Sequence, residues 1–251
     1  MTQPYQQITP ELARQIRLVM TDVDGTITPR GDSLSPVVLD AIRRLEEGGI
    51  MVGLVSGRTL PRLESMASGL GISGPIIAEN GGVAKLKTND EIIDLGYSRQ
   101  PAITALEKLK ATFANAIEER EDNVDRLVDV GIRAIGVETE ELRRHLEEVE
   151  LLDSGYMLHL IQKGVSKGTT LMKLLGKIGD GSLTPAEVMV FGDSLTDLSL
   201  FQLFPHSVLI TNPRLPGEER EILKKTAKYA AEHPFGDGLA EVVLHILNAR
   251  A

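Results

Sequence analysis

The sequence predicts an α/β protein, a largely parallel sheet with helices on both faces that is interrupted by a smaller α/β insertion. Three observations carry this. Short apolar runs of strand length alternate with amphipathic stretches early in the chain, and the same alternation returns late. The 251 residues also exceed the roughly 100–150 that one domain commonly uses, which leaves room for one full domain and a smaller unit.

Taken in order, Leu18–Thr21 is a short apolar run ending in Asp22. Val38, Ala41, Ile42 and Leu45 then fall at i, i+3, i+4 and i+7. They form one helix face, opened by Ser35 as N-cap with Pro36 in the first turn and closed by Gly48-Gly49. Ile50–Val55 reads as a buried strand, Thr59–Leu70 as a helix and Pro75–Ala78 as the next strand, which completes a βαβαβ unit. Late in the chain Leu171, Leu174, Leu175 and Ile178 take helix spacing. Strand Val188–Phe191, helix Leu195–Leu203, strand Val208–Ile210 and a last helix carrying Leu239, Val242, Val243 and Ile246 follow. Between about Tyr97 and Lys163 the pattern changes to helix Ala102–Ala116, strand Ile132–Val137, charged helix Glu140–Glu150 and strand Tyr156–Ile161. The acidic run around Glu118–Asp125 reads as a solvated loop. The expected organisation is core over 1–96, an inserted α/β cap over 97–163 and core again over 164–251.

Composition narrows the function. The absence of Cys excludes a disulfide scaffold, a thiolate zinc site, an iron–sulfur cluster and a cysteine nucleophile. A formal net charge of −9, with five Phe, four Tyr and no Trp, argues against nucleic acid, which needs clustered Lys and Arg or aromatic stacking platforms. No apolar run approaches the roughly 18 residues that span a bilayer. Met1 to Gln15 is polar and lacks the basic start and apolar stretch of a signal peptide. A cytoplasmic protein without a membrane or nucleic-acid partner is expected, and nothing in the sequence indicates its oligomeric state.

The chemistry concentrates at strand ends, where open parallel sheets bind their ligands. Asp22-Val23-Asp24-Gly25-Thr26 places two carboxylates at the end of the first strand, although Asp-Gly is also a common turn pair. Asp193 and Asp197 follow strand Val188–Phe191 at a spacing that shares one helix face; an N-cap with a dipole-favouring acid accounts for one of them. Four converging carboxylates make an oxygen-rich site suited to Mg2+. Ser56-Gly57-Arg58 supplies a hydroxyl, a flexible residue and a cation after strand Ile50–Val55. Ser166-Lys167-Gly168 puts Lys167 at a helix N-terminus, where an anion would relieve the electrostatic conflict.

These four segments, in this order, resemble the motifs of the haloacid dehalogenase superfamily of phosphotransferases, from Leu18 to about Ala240. The insertion between the second and third motifs, with Glu79-Asn80-Gly81-Gly82 before it, is similar to the branch with an α/β cap in that position. That branch includes sucrose-phosphate phosphatase, phosphomannomutase and the archaeal-type phosphoglycolate phosphatases. The resemblance implies a Rossmann-like core with a cap. It implies Asp22 as nucleophile and Asp24 as acid and base, with Lys167 catalytic. It implies Ser56, Gly57, Arg58 and Asn212 around the phosphoryl group. Mg2+ would be held by Asp22, the backbone carbonyl of Asp24 and Asp193, with Asp197 orienting Lys167 or metal-bound waters. Thr196 departs from the Asn of many relatives. The expected activity is Mg2+-dependent hydrolysis of a small phosphomonoester, phosphoglycolate or a sugar phosphate; a sugar phosphomutase or a non-catalytic phosphosugar binder are the alternatives.

Gly69-Leu70-Gly71-Ile72-Ser73-Gly74 matches a dinucleotide-binding pattern but closes a helix and precedes a strand, the reverse of what pyrophosphate binding requires, so it reads as a cap and turn. Arg133 and His159, on expected strands of the insertion, are candidates to face substrate, and equally a solvated and a packed residue.

Overall fold

In the computed structural model residues 2–29, 31 and 33–250 are described; Met1 and Ala251, the outer ends of the expected core segments, lie outside them. The elements run β1 (Gln3–Pro4), α1 (Pro10–Gln15), β2 (Leu18–Thr21), α2 (Pro36–Glu47), β3 (Met51–Val55), α3 (Leu60–Leu70), β4 (Ile76–Ala78) and β5 (Val83–Lys85). They continue with α4 (Gln100–Phe113), β6 (Ile117–Glu119), β7 (Val130–Ala134), α5 (Thr139–Arg143), β8 (Val149–Asp153) and β9 (Leu158–Gln162). The chain ends with α6 (Lys167–Leu174), β10 (Val188–Gly192), α7 (Leu198–Leu203), β11 (His206–Thr211), α8 (Gly217–Thr226), β12 (Tyr229–Pro234) and α9 (Phe235–Arg250).

Among the described residues these strands form two sheets. The larger, ordered β1-β12-β11-β10-β2-β3-β4-β5, is parallel except for the β4–β5 hairpin. The smaller, ordered β6-β7-β9-β8, is antiparallel throughout and comes from residues 117–162.

The central strands are apolar on both faces because both faces are covered. Leu18 and Met20 of β2 pack into one layer with Leu171 and Leu174 of α6 and Leu200 of α7. Val19 packs into the opposite layer with Val38 and Ile42 of α2 and Val242 and Ile246 of α9. The period of two that divides a strand between two layers is thus satisfied at every residue, which is why no polar alternation appears in the sequence. In the smaller unit, Ala102, Leu106 and Leu109 of α4 cover one face of the antiparallel sheet against Val130, Ile132 and Leu160.

Two expectations are corrected. The helix expected over Glu140–Glu150 stops at Arg143, and Val149 opens β8. Val149 and Leu151 are buried while Glu150 is exposed, so the chain takes up the strand period against β9 and the ladder outweighs the helix propensity of the charged run. The acidic run also carries structure: Ile117–Glu119 pairs with β7, and buried Asn123 bonds both the carbonyl and the N–H of Gly131. Strand β12 was not expected, since Tyr229–Pro234 lacks β-branched residues and is held by pairing with β11 and β1. The glycine-rich pattern after α3 is a cap: Gly71 sits at φ +65°, and a Cβ on Gly74 would lie 2.5 Å from the Val52 carbonyl oxygen. Among the described residues no helix is long and apolar enough to cross a membrane.

Candidate active site

Strands β10 and β2 are parallel neighbours with Phe191 opposite Thr21, so their carboxyl ends deliver Asp193 and Asp22 to the same place. The Asp22 N–H donates to the Phe191 carbonyl at 3.0 Å, which carries the pairing one residue past the strand. The 22–28 turn folds tightly above them, with the N–H groups of Ile27 and Thr28 on the Val23 carbonyl. Gly25 is required there: it adopts φ +92°, and a Cβ would fall 2.3 Å from an Asp193 carboxylate oxygen.

Lys167 reaches this cluster from the first turn of α6. Its Nζ lies 2.7 Å from Asp22 Oδ1 and 2.7 Å from Asp197 Oδ1, and its side chain is 2% exposed. Two close approaches bring it there. A Cβ on Gly168 would meet the Ser199 carbonyl oxygen at 2.3 Å, and one on Gly81 would meet that of Ser166 at 2.3 Å. The other oxygen of Asp197 accepts the N–H groups of Asp193 and Ser194 at 3.0 and 3.1 Å, so this residue both orients Lys167 and closes its own loop. Asn212, beyond β11, donates from Nδ2 to Asp193 Oδ2 at 2.6 Å. Thr26 Oγ1 lies 2.6 Å from Asp193 Oδ1 and 3.2 Å from Asp22 Oδ2.

The remaining residues singled out in the sequence lie outside this cluster. Ser56 is buried after β3, and its Oγ accepts the Arg58 N–H at 3.2 Å. Gly57 lies between them under Asn80. The Arg58 guanidinium grips the Asp24 carboxylate through two bonds of 2.7 Å, and Nη2 also reaches the Gly31 carbonyl at 2.8 Å. Asp24 is therefore turned away from the buried acids, with its side chain 47% exposed. Arg133 is exposed beside Glu118, whereas His159 is buried against Asp129. Sequence reasoning held Thr26 and Asn80 only as members of their motifs, without a role, and did not select Arg126 or Asp129; an acid inside the otherwise apolar run 127–130 was the signal for the last of these.

Asp22, Asp193 and Asp197 each present an oxygen within 4.8 Å of the others, and all three are buried. A set of buried carboxylate oxygens with no nitrogen or sulfur donor fits a hard divalent cation. The electrostatics agree. Burial pushes the Asp22 carboxyl well above its ordinary range, and the Asp197 and Asp193 charges add to this against the opposing pull of Lys167. Burial, reinforced by Asp197, pushes Asp193 up to about 7. Burial would depress the Lys167 ammonium, but the Asp197 and Asp22 carboxylates outweigh it and hold it above its ordinary value. One lysine thus leaves the cluster short of positive charge.

A carboxyl that is protonated to a higher pH in the folded chain than in the unfolded one favours folding below its unfolded value and loses that contribution as pH rises through about 7. Thermal melting in EDTA is therefore expected to show stability falling between about pH 4 and about pH 7, and a divalent cation that binds the cluster to reverse the fall, because it displaces the proton. A melting temperature in EDTA that rises over that range would contradict this charge balance.

With this geometry in place, the comparisons with known proteins identify the class. The chain belongs to the haloacid dehalogenase-like hydrolase family, which its residues 19–129 and 138–243 match. Within that family it is a phosphatase. It is 32% identical over 234 residues to the phosphoglycolate phosphatase of Methanoculleus marisnigri, covering 91% of this chain and 95% of that one. It is 30% identical over 233 residues to that of Thermoplasma volcanium, covering 92% and 98%. Among solved structures, that of Thermoplasma acidophilum 0175 superposes with a TM-score of 0.79 at 26% identity, over 92% of this chain and 98% of that one. The sucrose-phosphatase of Synechocystis, solved with sucrose and phosphate, shares the fold with a TM-score of 0.69 at 15% identity, over 92% and 98%.

Proposed function

We propose that the chain is a Mg2+-dependent phosphomonoester hydrolase of a small phosphorylated metabolite, with phosphoglycolate as the leading substrate and a sugar phosphate second. The observation that carries this is Asp22: a buried carboxylate at the end of the central strand, with one oxygen on the Lys167 ammonium and Asp193 beside it. The names of the curated relatives support phosphoglycolate.

In this reading Asp22 attacks phosphorus in line, the bond to the leaving oxygen breaks, and an aspartyl-phosphate forms. Asp24 gives its proton to the leaving oxygen and then takes one from the water that hydrolyses the intermediate. Lys167 and Ser56 hold the phosphoryl oxygens, Gly57 lets the main chain approach them, and Arg58 positions Asp24 at the mouth. Asp197 holds Lys167, and Asn212 holds Asp193, in place. Mg2+, held by Asp22, the Asp24 carbonyl and Asp193, would neutralise charge on the transferring group. The unit over 97–163 acts as a cap that excludes water from the leaving group, on a core formed by 1–96 and 164–251. The protein is read as cytoplasmic, with a small molecule as its partner.

The test is release of inorganic phosphate from a panel of phosphomonoesters with Mg2+ and with EDTA. Activity on phosphoglycolate that EDTA removes is the expected result. Full activity in EDTA would refute the metal-dependent mechanism, and interconversion of sugar phosphates without phosphate release would establish a mutase.

A further inference from the structure

A buried polar network joins the two sheets directly over Gly57. The Glu79 carboxylate, fully buried after β4, accepts the N–H groups of Leu127, Val128 and Asp129 at 2.8–3.1 Å, which ties the chain entering β7 to the core. Asp129, also fully buried, takes Arg126 Nη1 at 2.6 Å on one oxygen and His159 Nδ1 at 2.7 Å on the other. Burial pushes the Asp129 carboxyl up, but His159 and Arg126 more than offset this and hold it below its ordinary range. It is therefore an acceptor, His159 Nδ1 carries the proton, and Nε2 is turned to the far side of the ring.

The Cε1 edge of that ring faces the phosphate loop. His159 Cε1 lies 3.3 Å from the point that a Cβ on Gly57 would occupy, and both amide atoms of Asn80 lie 3.1 Å from the same point. Asn80 is 2% exposed and fixed by a main-chain bond to the Ser56 carbonyl at 3.0 Å, yet its Nδ2 has no partner among the described residues. Arg126 Nη1 donates to the Gly57 carbonyl at 3.2 Å, and its buried Nε is also without a partner among them. Leaving such donors unpaired in the interior is unfavourable, so their joint presence beside this loop calls for an acceptor.

We propose that Asn80 Nδ2 and the Asp129-held ring of His159 receive a carboxylate on the leaving group, which makes this pair the specificity-determining contact of the site. This rests on the phosphatase reading above and adds to it the residues that read the leaving group. A carboxylate only accepts hydrogen bonds, which matches the unpartnered Asn80 donor; the His159 ring, whose Nδ1 is taken by Asp129, adds a second donor when its other nitrogen takes up a proton.

The experiment compares kcat/KM for 2-phosphoglycolate and for 2-hydroxyethyl phosphate, which lacks the carboxylate. Wild type is expected to prefer the former. Asn80→Ala and His159→Gln are each expected to lower that preference by at least about 10-fold, a typical value for a lost charge-assisted contact. Arg133→Gln, an exposed change on the same sheet as His159, should leave the preference unaltered. Equal losses on both substrates, with the ratio preserved, would overturn the assignment and reduce the network to cap–core packing; so would a wild type without the preference. Calorimetric titration of the turnover-deficient Asp22→Asn with both compounds reads the same preference as a ratio of Kd. A preference in binding without phosphate release by wild type would therefore refute the function and retain the subsite.

Discussion

Asp22→Asn is expected to abolish phosphate release, by at least about 10^3-fold in kcat, while leaving the fold intact and more stable in EDTA. An amide has no nucleophilic oxygen anion and cannot form the phosphoaspartate. The same change removes a charge that the folded chain holds at a cost, since burial and the neighbouring Asp197 and Asp193 carboxylates all push the Asp22 carboxyl upward. A neutral isostere relieves that repulsion, and a gain of about 1 kcal/mol would raise the melting temperature by about 2–4 °C for a chain of this size. Circular dichroism melting beside a phosphate-release assay measures both quantities. A variant that keeps more than about a tenth of the activity would remove Asp22 from the chemistry.

Lys167→Met is expected to be costly in both respects. Its ammonium is the shared partner of Asp22 and Asp197 at 2.7 Å each, and removing it leaves buried carboxylates facing one another without that cation. Breaking a buried pair from one side costs about 3–5 kcal/mol, equivalent here to a loss of roughly 6–20 °C in melting temperature, and phosphate release should fall below detection. Adding Asp197→Asn to Lys167→Met is expected to restore part of the stability and none of the activity, because the second change removes a charge but supplies no cation for the phosphoryl group. A double variant no more stable than Lys167→Met alone would show that the loss arises from packing rather than charge.

The residues of the acidic centre were legible in the sequence because each sits beside a strong local signal. Asp22 and Asp193 follow short, buried strand runs, Lys167 opens a helix whose apolar face is regular, and four such segments in fixed order agree with the observed fold. Helix α2, with Ser35 accepting the Val38 N–H and Gly48 at its end, follows from capping alone. The stretch 140–153 did not, because its charges favour a helix while Val149 and Leu151 gain more from pairing with β9. That partner lies nearby in the chain but is selected by burial against α4, which no local window contains.

Strand ends, caps and the residue types of the acidic centre were therefore determined by the sequence itself, since they depend on neighbours within one turn or one strand. Contacts between distant segments were decided by the tertiary structure alone. Arg58 closes on Asp24 from 34 positions away, Lys167 on Asp22 from 145, and His159 on Asp129 from 30. The physical reason is that hydrogen bonding and hydrophobic periodicity act over a few residues, whereas which buried charge meets which is set by strand order and by the cost of leaving either one unpaired.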